Sequence, residues 1–569
     1  MPLDWRAPHR GPVIGLHVER LAPPGPPAGV MVLVAGGPGI AATIAYSPVL
    51  PTLRRMFPGW AVVLVDARGT GQSGLLRCPH VSAERLLGSP AGVHACQREI
   101  GPRSHFYTTA DNVRDIGAVR RALGAATIGL YGTSYGTKVV QAYAHTYPGR
   151  VSRVVLDSVV TRYGPDPMRG STWQAFPRVL REECAGGACL AATRSFEADY
   201  VRLANRIARR PLRGRFYDAA GVPVRAELTG GELLHVAING DESPYVWLEL
   251  PAAVRAALTG RPAPLLRLAS VADPASENPV VAVATSCEED LFPWPRTSPL
   301  AGRARLWRRA VLSAPASTFG PFGPWAPLQN TFAPYGRLCQ GWRAAPRPPD
   351  LGSRPLPDVP ALVLAGSDDL RTPLGDSQAL ARQFARGRLL VVRGGGHGVL
   401  PSVPCAQAQV RRWMLGGVPA SRCSLAKPLP FAAAFPPGFG ALHPVKYPGR
   451  LGRTVAALRG GISDAALLAA LCLRASVPGF GGVAGGRATM TGHLQQRLLL
   501  RVALRRFGWV SGARLGGVLT LAVRDFGLKA AIAGGALSVS GNRAEHGTIR
   551  VGPGGRFTGV LGGRRVRYP

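Results

Sequence analysis

The sequence predicts a doubly wound α/β fold with a mostly parallel sheet, because short apolar runs alternate with helical patterns. The runs are rich in Val and Leu and are bounded by Gly, Pro or Asp, which is typical of strands buried on both faces. A helical pattern runs from Val113 to Leu123 after Asp111, a candidate N-cap. The predicted strands are Val30–Ala35, Ala61–Val65, Thr127–Tyr131, Val151–Leu156, Ala361–Ala365 and Leu389–Val392. Such alternation predicts a parallel sheet with helices on both faces.

The predicted alternation of strands and helices is interrupted between about residues 160 and 350 and ends before a Pro-rich linker at 429–449, which divides the 569 residues into segments. Between about residues 160 and 350 the alternation gives way to mixed helical and Pro-rich sequence, which predicts a cap inserted between two sheet strands. Short runs separated by glycine, such as Gly517–Val523 and Ala536–Val539, predict a small β-rich accessory unit. The predicted organisation is a first part of the core over 1–160, a cap or lid over 161–350, a second part of the core over 351–428, a Pro-rich linker over 429–449 and a basic accessory domain over 450–569.

The charge of the chain is strongly positive, with 68 basic and 32 acidic residues and a net charge of +36. Only four of the basic residues are lysines, and the arginines are spread along the chain beside Ala, Gly and Pro. This pattern favours compositional bias over a selected polyanion-binding surface, so no nucleic-acid partner is expected. The segment from residue 441 onward holds 19 basic and 3 acidic residues. We therefore keep an anionic cell-envelope polymer as a candidate partner of the C-terminal region.

Nine cysteines are present, without a Cys-x-x-Cys pair and without histidines at zinc-ligand spacing, so no metal site is predicted. Sequence order favours four disulfides, although order alone does not fix the connectivity. These pairs are Cys78 with Cys96, Cys184 with Cys189, Cys287 with Cys339 and Cys405 with Cys423, which leaves Cys472 unpaired. Such bonds would indicate an oxidising, extracytoplasmic compartment.

The first ten residues lack the charged start and apolar stretch of a secretory signal. The sequence also has no run of 18 apolar residues, so no transmembrane segment is predicted. Two interpretations remain: a cytoplasmic protein with reduced thiols, or a secreted protein whose true start lies upstream of Met1. We favour the second.

A serine lies in a strand-turn-helix context at Gly132-Thr133-Ser134-Tyr135-Gly136. The preceding run predicts a strand, and the following residues predict a helix. Glycines two residues before and after a serine remove side chains that would clash on a sharp turn, which presents the hydroxyl to substrate. Ser134 is therefore the candidate nucleophile.

The glycine-rich loop Gly36-Gly37-Pro38-Gly39 follows the predicted strand Val30–Ala35. Backbone N–H groups without bulky side chains can point at the oxyanion of a tetrahedral intermediate. Gly37 and Tyr135 are the candidate N–H donors. The alternative is a tight turn without a catalytic role.

A nucleophilic serine needs a base that a third group orients, and in this kind of fold the chain order is Ser, then Asp or Glu, then His. Asp369 and His397 each follow a predicted strand, so both are expected at the carboxyl edge of the sheet. Asp368 is the alternative acid. His443 is an alternative base, but it lies in the Pro-rich segment.

Four motifs in this order resemble the proline iminopeptidase and tripeptidyl aminopeptidase branch of the α/β-hydrolases. They are the Gly-Gly-Pro-Gly loop followed by Asp66–Gly74, the elbow Gly132–Gly136, the segment Gly366–Pro373 and Gly396-His397-Gly398. The resemblance spans roughly residues 2–425, including a closing segment from Cys405 to Cys423. It implies a commonly secreted exopeptidase that removes proline or short peptides from free N-termini, with a triad of Ser134, His397 and Asp369.

An aminopeptidase must bind an α-ammonium group, which calls for carboxylates near the site. Cys287-Glu288-Glu289-Asp290 resembles a segment that lines the substrate cleft in that branch. The register makes Glu289 the preferred anchor, with Glu288 and Asp290 as second choices, while a solvated acidic turn is the alternative. Two tryptophans of the cap, Trp294 and Trp307, either floor a proline pocket or belong to the core, and the core is the commoner place for them.

The predicted function is a serine aminopeptidase that needs no cofactor and acts on peptides with a free N-terminus through an acyl-enzyme. One rival is a carboxylesterase acting on small esters or amides, with the same chemistry and no amine anchor. A rival of another class is a noncatalytic cell-envelope-binding protein that adheres through its basic tail.

Overall fold

A computed structural model describes residues 1–271, 278–425, 429–474, 476–491, 497–524 and 529–569. By its contacts the chain divides into two compact units. The first comprises Met1–Phe176, Ala275–Leu328 and Ala333–Leu425, and the second comprises Pro177–Pro274, Gln329–Phe332 and Ala426–Pro569. The domain boundaries predicted from the sequence stay predictions, and the one at residue 428 lies outside the described residues.

The strands of the described residues, in chain order, are β1 (Val18–Leu21), β2 (Val30–Val34), β3 (Ala61–Val65), β4 (Ile128–Thr133), β5 (Val151–Asp157), β6 (Leu212–Tyr217), β7 (Pro223–Leu228), β8 (Ala361–Gly366), β9 (Gly387–Arg393), β10 (Arg422–Ser424), β11 (Gly479–Gly481), β12 (Arg487–Thr491), β13 (Arg497–Phe507), β14 (Arg514–Arg524), β15 (Lys529–Ser540), β16 (Gly547–Val551), β17 (Phe557–Leu561) and β18 (Arg564–Tyr568).

The α-helices are α1 (Ala42–Tyr46), α2 (Leu50–Met56), α3 (Ala83–Gly88), α4 (Pro90–Ile100), α5 (Thr109–Ala122), α6 (Tyr135–Thr146), α7 (Gly170–Glu183), α8 (Phe196–Arg209), α9 (Gly230–Asn239), α10 (Pro244–Leu258), α11 (Ala263–Val271), α12 (Pro279–Glu289), α13 (Arg303–Ser313), α14 (Trp325–Gln329), α15 (Tyr335–Leu338), α16 (Leu374–Ala381), α17 (Pro404–Met414) and α18 (Gly449–Arg474).

The first unit is built on an eight-stranded sheet in the order β1-β3-β2-β4-β5-β8-β9-β10. Its strands run parallel, except that β1 pairs antiparallel with β3. Every residue of β3 and β8 is buried, as the continuous Val- and Leu-rich runs predict for strands covered on both faces. The doubly wound, mostly parallel fold is therefore confirmed.

The N-terminus of α5 differs from the prediction. The N-cap is Thr108 rather than Asp111, which occupies the third helical position. The Thr108 hydroxyl accepts from the Asp111 N–H, and the Asp111 carboxylate accepts from the Thr108 N–H. This arrangement is a capping box, in which each of the two side chains accepts from a backbone N–H that has no partner in the helix. Asp111 was predicted as the N-cap because aspartate is also common at that position.

The second unit contains a separate antiparallel sheet in which β11 to β18 follow one another in chain order. Helix α18 packs against this sheet and against α10. By length and composition α18 is apolar enough to cross a membrane, but 78% of its most apolar stretch is buried. Its Asp464 forms a buried ion pair with Arg267 of α11 at 2.5 Å, and Arg267 also pairs with Glu249 of α10 at 2.8 Å. These features are typical of a core helix.

Four disulfide bonds are present, and they join the four pairs that sequence order favours: Cys78–Cys96, Cys184–Cys189, Cys287–Cys339 and Cys405–Cys423. Cys472 is free and buried in α18. Burial raises the pKa of its thiol to about 12, so the thiol stays protonated and unreactive at neutral pH.

Candidate active site

Ser134 lies on the turn that joins β4 to α6. Its backbone is left-handed, with φ 56° and ψ −125°, a strained conformation for a residue with a side chain. The Ser134 N–H donates to the carbonyl oxygen of Asp157 at 2.9 Å, and its own carbonyl accepts from the Thr137 N–H at 2.8 Å. These bonds hold the strained turn, as the sequence predicts for a nucleophile elbow.

The two glycines of the elbow are required by close backbone contacts. A Cβ on Gly132 would lie 2.5 Å from the carbonyl oxygen of Gly136. A Cβ on Gly136 would lie 2.2 Å from the carbonyl oxygen of Val34 in β2. Both distances are far inside van der Waals contact, so any side chain at either position would push the elbow away from the sheet.

The glycine-rich loop after β2 lies beside the elbow. A Cβ on Gly36 would come within 3.0 Å of the Ser134 Cβ, and Gly37 and Gly39 have φ values of 104° and 111°. Only glycine adopts such angles without strain. The loop therefore places unhindered backbone next to Ser134, which is where the sequence analysis expects the Gly37 N–H to serve as an oxyanion donor.

His397 and Asp369 meet directly. Nδ1 of His397 lies 2.9 Å from Oδ2 of Asp369, and their side chains are 7% and 1% exposed. Thr372 donates to Asp369 through its N–H at 2.8 Å and its hydroxyl at 2.7 Å. Burial opposes ionisation of Asp369, but the charge and hydrogen bond of His397, together with the Thr372 bonds, lower the pKa of Asp369 below its usual value. Asp369 is thus an ionised partner for the imidazole.

The alternative acid and base have other surroundings. Asp368 accepts the Ser367 hydroxyl at 2.7 Å, and its N–H donates to the carbonyl of Gly395. His443 is exposed and belongs to the second unit. Of the two aspartates, therefore, Asp369 carries the contact with the imidazole of His397.

Asp157, which no sequence motif indicates, joins the elbow to the histidine loop. Its carbonyl accepts from the Ser134 N–H, and its carboxylate accepts from the N–H groups of Val399 at 3.1 Å and Leu400 at 2.8 Å. Burial raises the pKa of Asp157 to about 6, while the two N–H donors and His397 oppose that rise. The only signal in the sequence was an aspartate at the carboxyl end of a buried strand.

The three carboxylates at the end of α12 fall into two environments. Glu288 accepts from Trp342 Nε1 at 2.7 Å and from the Ala345 N–H at 3.0 Å, and its Oε1 lies 2.5 Å from His105 Nδ1. Glu289 pairs with Lys138 Nζ at 2.6 Å and accepts from the hydroxyl of Thr109 at 2.8 Å.

Asp290 also faces Lys138, with its Oδ1 3.9 Å from Nζ. Burial raises the pKa of Asp290 to about 7; Lys138 and Arg169 oppose the rise, and Glu289 reinforces it. Lys138 belongs to α6, four residues after Ser134, and the Thr109 hydroxyl lies 2.8 Å from the Tyr135 hydroxyl. Glu289 and Asp290 thus lie near Lys138 of α6, whereas Glu288 has a different set of partners.

A family profile described as the alpha/beta hydrolase fold matches residues 29–402. The chain belongs to the α/β-hydrolase family. The hydrolase is 26% identical to a tripeptidyl aminopeptidase of Streptomyces coelicolor over 477 residues, which cover 73% of this chain and 80% of that protein. It is 26% identical to the serine protease Hip1 of Mycobacterium tuberculosis over 465 residues, covering 73% and 84%.

A shorter match, 33% identical over 141 residues, joins the hydrolase to a probable proline iminopeptidase of Streptomyces coelicolor. It covers 24% of this chain and 34% of that protein. Together these relatives confirm the resemblance to the proline iminopeptidase and tripeptidyl aminopeptidase branch that the four motifs indicate.

In the hydrolase, the motif Asp66–Gly74 has a structural role. Arg68 is 1% exposed and binds Asp115 of α5 through two nitrogens at 2.7 and 2.8 Å. Its Nη1 also donates to the carbonyl oxygen of Leu3 at 2.8 Å. A Cβ on Gly71 would lie 2.2 Å from the Asp66 carboxylate, so the glycine allows the turn to close around that acid. This motif fastens the N-terminal segment to the sheet.

The two tryptophans of the predicted cap are core residues. Trp294 is 8% exposed and stacks on Phe292 with ring centroids 4.8 Å apart. Trp307 is 5% exposed and lies against Gly336, where a Cβ would come within 2.4 Å of its ring. The core interpretation, rather than the proline pocket, fits this packing.

Proposed function

We propose that the protein is a serine exopeptidase that releases proline or short peptides from free peptide N-termini. The observation that carries the proposed hydrolytic activity is the 2.9 Å contact between His397 and Asp369. Asp157 links the loop that carries His397 to the Ser134 elbow through its hydrogen bonds. The names of the relatives, a tripeptidyl aminopeptidase and a serine protease, support a peptide as the substrate.

The proposed mechanism is acyl transfer. His397 takes the proton of the Ser134 hydroxyl, and the serine oxygen attacks the scissile carbonyl carbon. Asp369 holds the imidazole by its Nδ1 and stabilises the imidazolium that forms. The N–H groups of Gly37 and Tyr135 hold the oxyanion, His397 protonates the leaving amine, and water releases the acyl group in a second attack with His397 as base.

The amine anchor in this proposal is the pair Glu289 and Asp290. Both carboxylates lie near the ammonium of Lys138, at 2.6 and 3.9 Å, and the positive charge of Arg169 also acts on Asp290. Asp290, whose pKa is about 7, gains most from an incoming α-ammonium, because a nearby cation favours its ionised form. Glu288 is not part of the anchor, since Trp342, Ala345 and His105 occupy its oxygens.

We also propose that the enzyme works outside the cytoplasm. Four disulfide bonds across a chain of 569 residues are typical of an oxidising compartment.

The test compares fluorogenic aminoacyl and tripeptidyl substrates with free and with acetylated N-termini. We expect the free substrates to be preferred, and Asp290→Asn and Glu289→Gln to lower kcat/KM on them by about tenfold or more, as for loss of a buried charge pair. Hydrolysis of a simple aryl ester should change little. Asp358→Asn, an exposed acid paired with Arg386, is the matched control. Equal rates on free and acetylated peptides would contradict the exopeptidase and favour the esterase.

A further inference from the structure

An open pocket of about 400 Å³ lies in the second unit, and none of the residues assigned to the proposed hydrolytic site lines it. Four arginines line it, together with Tyr217 at the end of β6 and the glycine-rich turn between β11 and β12; they are Arg487, Arg505, Arg506 and Arg514. Its lining among the described residues contains no carboxylate. The pocket therefore concentrates positive charge in a concave surface.

Two of these arginines lie directly opposite each other on neighbouring strands. Arg487 of β12 is the direct partner of Arg505 of β13 in the antiparallel register. Like charges directly opposite on neighbouring strands destabilise a sheet. No carboxylate of a described residue forms an ion pair with either arginine, so this repulsion is not relieved inside the protein.

The other two arginines are held in place by the backbone. The register of β13 and β14 shifts between Leu504 and Phe507, and within this bulge Arg506 has a φ of 51°. A β-bulge changes the direction in which side chains point, and a positive φ strains the backbone of any residue other than glycine. Arg514 lies against Gly508, where a Cβ would be 2.4 Å from its Nη1. Glycine at that position leaves space for the guanidinium.

The acid that follows the last residue of β6, Asp218, is hydrogen-bonded within its own turn. Its Oδ1 accepts the N–H groups of Ala220 and Val222, both at 2.9 Å. Its carboxylate therefore accepts hydrogen bonds from the backbone of its own turn.

We propose that this arginine pocket binds phosphate groups. Guanidinium groups match the oxygens of a phosphate in paired hydrogen bonds, and a bound phosphate would neutralise the facing pair Arg487 and Arg505. Arg505 and Arg506 are exposed, so a ligand can reach them from solvent. Arg487 and Arg514 are half-buried, so the protein restricts the positions of their side chains. The inference is independent of the proposed peptidase activity.

The test uses the full chain, with pyrophosphate as the probe, at low ionic strength. Arg505→Gln should weaken pyrophosphate binding, measured by calorimetry, by about tenfold, the loss expected for charge-assisted hydrogen bonds. The control is Arg501→Gln, an exposed arginine of the same strand that faces Thr491 and Thr520 and lies outside the pocket. It removes the same charge and should change the affinity less than about twofold.

A second readout separates binding from folding. Without ligand, Arg505→Gln should raise Tm because it removes the repulsion with Arg487, and pyrophosphate should raise the Tm of the parent but not of the variant. Equal losses of affinity in Arg505→Gln and Arg501→Gln would overturn the site in favour of diffuse charge. Absence of saturable binding by the parent at millimolar pyrophosphate would also overturn it.

A long-chain polyphosphate identifies the source of the phosphate. If the pocket takes one group of a polymer, polyphosphate should bind more tightly than pyrophosphate and show a steeper salt dependence, and Arg505→Gln should weaken both. If the ligand is a small free phosphate compound, polyphosphate should gain nothing over pyrophosphate. Both outcomes keep the site and differ only in its ligand.

Discussion

The carboxylate of Asp157 accepts the backbone N–H of Leu400 at 2.8 Å, three residues beyond His397, while its carbonyl accepts the N–H of Ser134. One residue at the end of β5 is thus hydrogen-bonded both to the Ser134 turn and to the loop that carries His397. Neither contact involves a reacting atom, so Asp157 is a positioning residue.

Asp157 should make stability depend on pH. Its pKa is raised from 3.8 to about 6 in the folded protein, so its contribution to stability is complete below pH 4 and is lost as the pH rises through about 6. The loss amounts to about 3 kcal/mol. In urea unfolding, Asp157→Asn should lack this component, because an amide does not titrate. Parallel stability curves for the two proteins between pH 4 and pH 7 would contradict the prediction.

Asp369→Asn should lower the rate of acylation by about 10⁴, the effect of misorienting the histidine of a triad. Asp368→Asn is the matched control, since Asp368 contacts Ser367 next to it, and it should stay within about tenfold of the parent. Ser134→Ala should abolish covalent labelling by a fluorophosphonate probe. If Asp368→Asn were the more damaging of the two aspartate variants, Asp369 would not be the orienting acid.

Gly136→Ala should destabilise the protein by about 3 kcal/mol or more, because its Cβ would lie 2.2 Å from the carbonyl oxygen of Val34. The elbow would have to move, so labelling of Ser134 should fall with stability. Gly149→Ala serves as the control, since a Cβ there meets nothing within 4 Å. Thermal unfolding and probe labelling measure both effects, and a stable, fully labelled Gly136→Ala protein would refute the clash.

Arg267→Met should destabilise the protein by about 3 to 5 kcal/mol, because it leaves the buried carboxylates of Glu249 and Asp464 without their cation. Burial already raises the pKa of Glu249 to about 7, with Arg267 opposing that rise. Arg213→Met removes an exposed partner of Glu227 and should change the stability by less than about 1 kcal/mol. Similar losses for the two variants in urea unfolding would contradict this prediction.

The sequence was most informative where a pattern is local. The strand predicted at Ala61–Val65 has those bounds in the structure, and those predicted at Val30–Ala35 and Val151–Leu156 differ by one residue at one end. The elbow was predictable because its two glycines lie within five consecutive residues and are required by close contacts inside the turn and with the neighbouring strand. Thr108 was overlooked as a cap because Asp111, three residues on, is an equally common capping residue.

Other features depend on contacts between distant parts of the chain. Asp157 meets Leu400 across 243 residues, and nothing near Asp157 marks that contact. The facing pair of Arg487 and Arg505 depends on strand register, which is set by the whole sheet. The sequence predicted a basic C-terminal region from its count of arginines, whereas the pocket depends on which of them converge.

Arg267 and Asp464 are 197 positions apart in the chain, yet each is the other's counter-ion in a dry interior. A truncated form that ends before α18 would remove one of the two buried carboxylates that pair with Arg267 and would expose the face of α10 that α18 covers. The terminal segment is therefore built into the core of the second unit rather than appended to it.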